Sequence, residues 1–105
     1  MSIKANRAKQ LFLELEIDGE IRRFEVLRPS AKSEAMTETR SAEIVAEMKE
    51  LKNVFKNTLE MLSMFVIGYD EELFGSFDIE TITEISKEVA RLRGESSLVP
   101  EEKKS

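Results

Sequence analysis

The sequence predicts an α+β fold, an N-terminal antiparallel β-hairpin packed on a bundle of three to four α-helices. Three observations predict it. Two apolar-alternating stretches, residues 11–17 and 21–27, flank the dipeptide Asp18-Gly19, and a two-residue type I′ turn needs φ > 0 at both of its positions, which Asp-Gly tolerates. After Pro29 the apolar residues recur at three- and four-residue spacing, the period of a helix face. A lone hairpin is marginal in water, so this one has to pack on the helices or on a partner.

Residues 1–10 are polar and basic (Lys4, Arg7, Lys9) and read as a flexible arm. In the first strand Leu11, Leu13, Leu15 and Ile17 share one face, and Glu14, Glu16 and Asp18 the other. The two-residue loop sets the register: Leu13 opposite Phe24, Leu11 opposite Val26, Glu14 opposite Arg23. Apolar then meets apolar and acid meets base, which makes the pairing self-consistent. Arg28-Pro29-Ser30 ends the hairpin, because proline has no N–H for a ladder.

Residues 31–94 form the helical body of a single domain spanning 11–94. Ser30, Ser33, Thr37 and Ser41 can all serve as N-caps, so residues 31–40 read as a short helix or turn leading into a long helix. Ile44, Met48, Leu51, Phe55, Leu62 and Phe65 then make one stripe, which predicts a spine helix over 41–67 stopped by Gly68. Asp70-Glu71-Glu72 is a helix-start composition that Gly75 cuts off after one or two turns. Asp78 caps a last helix with Ile82, Ile85, Val89 and Leu92 on one face, and Gly94 supplies its αL stop. Glu80 in its first turn and Arg91 and Arg93 in its last match the helix dipole. Residues 95–105 are polar and proline-containing, the composition of a disordered tail.

Composition narrows the function. The chain of 105 residues has no Cys and no His, so zinc sites, thiol nucleophiles and the usual triads lack their side chains. Sixteen basic against twenty-one acidic residues give a net charge of −5, which argues against a general nucleic-acid or anionic-membrane binder. The first ten residues lack the apolar core of a signal peptide, and the longest apolar run, residues 64–67, is too short to span a bilayer. A cytoplasmic, cofactor-free protein is expected.

Candidate chemistry is sparse. Asp70, Glu71 and Glu72 are consecutive, whereas calcium loops alternate their acids around a turn glycine; a solvated helix start explains them. Glu14, Glu16 and Asp18 line one strand face, but Arg22 and Arg23 lie beside them and no apolar pocket is evident to separate their pKa values. Lys49, Lys52 and Lys56 are diluted by Glu47, Glu50 and Glu60 and read as a solvated face. The more informative group is Met61, Met64 and Phe65 with Leu73 and Phe74. Flexible thioethers suit surfaces that take varied apolar partners, and Met61 lies off the main stripe. An ordinary helical core is the plain explanation; a groove for a partner helix is the functional one. Residues 60–88 hold eight acids against the single base Lys87.

Leu15-Glu16-Ile17-Asp18-Gly19-Glu20, followed by Phe24-Glu25-Val26-Leu27-Arg28-Pro29-Ser30-Ala31-Lys32, resembles the small tail assembly chaperones of long-tailed phages and prophages, especially the Mu-like group. Those proteins open with a hairpin ending in an L-R-x-P stretch. Val66-Ile67-Gly68-Tyr69-Asp70-Glu71-Glu72 is similar to their V-x-G-L-x-x-E-E passage. Phe77-Asp78-Ile79-Glu80-Thr81-Ile82 is similar to the segment that leads into their terminal helix. The resemblance runs over residues 9–93 and rests on the order of short motifs; the stretch 31–61 is longer and more charged than the family pattern. It implies a non-enzymatic protein of the infected bacterial cytoplasm, absent from the mature virion, that binds the tape measure protein and keeps it soluble, with the tail tube protein a further candidate partner. Many members have a −1 frameshifted longer form, for which the codons of Lys103-Lys104 are the place to look.

On this reading Met61, Met64, Phe65, Leu73 and Phe74 bind the client. The alternative is a small acidic regulator, antitoxin-like or mimicking a nucleic acid, that binds a basic partner. An uncovered hairpin edge would favour homo-oligomers.

Overall fold

A computed structural model describes residues 2–94; the 95–105 tail, with Lys103-Lys104, lies outside the described residues. Strands β1 (Leu11–Ile17) and β2 (Glu20–Val26) form the hairpin, with Asp18 at φ 53° and Gly19 at φ 82° in the turn, the two positive values that a type I′ turn requires. Leu11 faces Val26, Leu13 faces Phe24 and Glu14 faces Arg23, the register expected from sidedness alone. Residues 2–10 contain no helix or strand.

Helix α1 (Ala31–Lys49) starts at Ser30. Ser30 and Ser33 form a reciprocal capping box, each side chain accepting from the other's backbone N–H at 3.1 Å. Ser33 also donates to the Arg28 carbonyl, which ties the helix start to the end of the hairpin. With Ser30 as the cap that wins, Ser41 becomes an interior residue and the helix begins ten residues before the expected spine.

The spine is not one helix. After Lys49 the chain closes a Schellman motif: the Lys52 N–H donates to the Glu47 carbonyl at 2.9 Å and the Leu51 N–H to Met48 at 3.0 Å. Leu51, at φ 59°, occupies the left-handed position where glycine is usual, and Asn53 at φ 47° is the second left-handed residue. Helix α2 (Val54–Phe65) then packs against α1. Arg40 clamps Glu60 with two hydrogen bonds of 2.7 and 2.8 Å. Buried Asn57 holds the corner, donating to Glu47 and to the Lys52 carbonyl. The continuous stripe is therefore divided: Ile44, Leu62 and Phe65 are buried, while Leu51 is 83 % exposed. The 4-3-4-7-3 spacing has no way of registering a reversal that a leucine closes.

Strand β3 (Val66–Ile67) follows directly and pairs antiparallel with β2, giving the sheet order β1-β2-β3. Apolar residues between a helix and Gly68 read as helix from sequence, and only pairing with Glu25 and Val26 makes them a strand. Gly68, at φ 84°, turns the chain into α3 (Glu71–Gly75) and then α4 (Ile79–Leu92). Asp70 and Asp78 cap these two helices through side-chain bonds to Glu72 and Leu73, and to Thr81. The core is one layer of side chains between the sheet and α2, α3 and α4: Leu13, Phe24, Val26, Leu62, Phe65, Val66, Phe74, Ile82, Ile85 and Val89. Among the described residues no helix is long and apolar enough to cross a membrane.

Candidate binding surface

Phe74 is the centre of the core. It is fully buried and meets three rings: Phe24 edge-on at 5.3 Å, Phe77 edge-on at 5.6 Å and Tyr69 tilted at 4.8 Å. Burial, and then the charges of Glu71 and Asp70, push the Tyr69 hydroxyl above its ordinary pKa. Outward from Phe74 opens a cleft of about 240 Å³ where α2, α3 and α4 converge, walled by Phe55, Leu59, Phe77, Ile79 and Ile82. Gly75 sits in this wall with open space beyond it. The rims stand out into solvent, Phe55 at 46 % and Ile79 at 61 % exposure. Among the described residues no titratable side chain lines the cleft, so what it offers is apolar contact, of the size that accepts one or two partner side chains.

The five residues singled out from the sequence do not form one surface. Phe65 is 4 % exposed beneath the Arg93 guanidinium, whose carbon lies 4.1 Å from the ring centroid, and Phe74 is the floor of the cleft rather than its rim. Both are core residues. Met61, Met64 and Leu73 are half-buried against that core. The exposed apolar side chains lining the cleft are instead Phe55 and Ile79, which the sequence placed in the spine stripe and beside a helix cap. No signal in the sequence marked them: Ile79 is the first residue of the helix that Asp78 caps, and Phe55 lies within the apolar stripe.

A larger, open groove of about 980 Å³ runs between β1 and α4. Leu13, Leu15 and Ile79 contribute its apolar part, and Glu14, Glu80, Glu84 and Glu88 face it. The row of α4 acids recurs every four residues, which places it on one helix face. Comparison of the chain with protein-family models, with curated proteins and with solved structures finds no match. The class defined by fold and surface is a small α+β protein with an apolar cleft on its helical side and an acidic groove along its sheet edge.

Proposed function

We propose that this protein is a non-enzymatic tail assembly chaperone of the phage and prophage type, which binds the apolar, helix-rich tape measure protein in the host cytoplasm and keeps it soluble while the tail tube assembles. The order of motifs from the hairpin to α4 supports the reading, and the observation that carries it is the open cleft rimmed by Phe55 and Ile79. A client helix laid across it inserts apolar side chains between these rims, and each large side chain so buried contributes about 1.5–3 kcal/mol. The acidic surface then keeps the complex dispersed.

Co-expression of the chain with a phage tape measure protein tests the reading. The client is expected in the soluble fraction with the wild-type chain and in the pellet with Phe55→Asp/Ile79→Asp. Equal client solubility with both would overturn the assignment of the cleft. Binding that resists moderate salt separates this chaperone from an acidic inhibitor of a basic partner, whose affinity falls steeply with salt.

A further inference from the structure

Strand β1 has β2 on one side and, among the described residues, no strand on the other. Seven residues of unpaired strand edge are a template for pairing with another chain. This edge also borders the groove beneath α4, where four carboxylates (Glu14, Glu80, Glu84, Glu88) outnumber the two bases Lys87 and Arg91. The two bases pair with two of these acids, Lys87 with Glu84 at 3.9 Å and Arg91 with Glu88 at 2.6 Å, which leaves the lining two carboxylates in excess, Glu80 and a Glu14 that meets Arg23 at 3.9 Å. The segment immediately preceding β1 has the opposite character: residues 2–10 carry Lys4, Arg7 and Lys9 and no acid. Apart from half-buried Ala8, they are exposed.

We propose that residues 2–10 of one copy add as a strand to the free β1 edge of a second copy, and reciprocally, forming a two-fold arm-exchanged dimer. An antiparallel pairing with Gln10 on the two-fold axis sets Ile3 opposite Ile17 and Ala5 opposite Leu15 on the apolar face, and Lys4 opposite Glu16 on the other face. Arg7 and Lys9 then fall opposite Leu13 and Leu11, on the face that carries the acidic groove beneath α4. Direct β1–β1 pairing in the same sense, centred on Glu14, would set that carboxylate against its own copy, and like charges directly opposite are destabilising. The arm is therefore the occupant that satisfies both the edge and the charge. The interface is isologous, so each dimer holds two identical junctions. The inference is independent of the client-binding reading, which concerns the cleft on the helical side.

Sedimentation equilibrium of the full chain tests it by charge exchange. The wild-type chain is expected to dimerise at low salt and to dissociate as salt is raised. Lys4→Glu/Arg7→Glu/Lys9→Glu and Glu80→Lys/Glu84→Lys are each expected to be monomeric with unchanged circular dichroism. An equimolar mixture of the two is expected to restore a one-to-one dimer, because the reversed arm meets the reversed groove while the other junction stays native. In a chain with no native cysteine, Ile3→Cys/Ile17→Cys is expected to give a disulfide-linked dimer on a non-reducing gel. A wild-type chain that stays monomeric at low salt, variants that keep the dimer, or a mixture that fails to restore it would each overturn the proposal.

Discussion

Arg93, the C-cap of α4, pairs with Glu34 in the first turn of α1, and its side chain is wholly buried. The same guanidinium donates through Nε to the Leu27 carbonyl at 3.0 Å and lies over the Phe65 ring. One cation thus ties the end of α4 to the start of α1, to the strand exit and to α2. A buried charge costs several kcal/mol unless its hydrogen bonds are satisfied, and here a carboxylate, a carbonyl and a ring face satisfy it.

Arg93→Ala is accordingly expected to destabilise the fold by about 2–4 kcal/mol, since it leaves the part-buried Leu27 carbonyl without this donor and a void over Phe65. Arg93→Lys is expected to recover only part of this, because an ammonium cannot make the same fork of planar contacts. Urea denaturation of both variants measures the difference; equal stability of Arg93→Ala and wild type would show that the cation is not a structural tie.

Core and rim of the cleft are expected to separate cleanly. Phe74→Ala removes a fully buried ring packed on three others and is expected to cost about 3–5 kcal/mol. Phe55→Ala, at a half-exposed rim, is expected to change stability by less than about 1 kcal/mol while lowering client affinity about tenfold. Denaturation and pull-down on the same two variants check both halves.

The Schellman turn gives a prediction of sign. Leu51→Gly relieves a left-handed leucine and is expected to raise stability by about 1 kcal/mol. In an unbroken helix over this stretch the same change would lower stability by about as much. The direction of the shift in the urea midpoint distinguishes the two geometries.

Acid is expected to loosen the helical side. The Arg40 hydrogen bond holds the Glu60 carboxyl below its ordinary value, the Arg91 hydrogen bond does the same for Glu88, and the Thr81 backbone N–H does so for Asp78. A carboxyl depressed in the folded state contributes stability that is fully present above its unfolded pKa and is lost as pH falls through the folded one. Stability is therefore expected to decline as pH drops below about 4.5. Glu60→Gln is expected to flatten that decline, and added salt to shrink it because Asp78 is exposed and Glu60 and Glu88 are half-exposed. The urea midpoint followed from neutral to acid pH reads the slope.

Local chemistry made much of this fold legible in advance. The hairpin register was readable because a two-residue turn and two-residue alternation admit one pairing that keeps Leu11, Leu13, Phe24 and Val26 on one side. The α4 face was readable from Asp78 to Gly94 because cap, dipole and stripe agree.

What the sequence could not decide were the places where a distant partner overrules local preference. Leu51 takes a conformation it disfavours because α2 has to fold back so that Glu60 meets Arg40 and Asn57 meets Glu47. Val66 and Ile67 become a strand only because β2 offers them an edge. For the same reason Phe65 and Phe74 went into the core while Phe55 and Ile79 were left at the surface. Periodicity marks which side chains are apolar and share a face, but burial is set by which elements close over that face. The tertiary structure alone decided that.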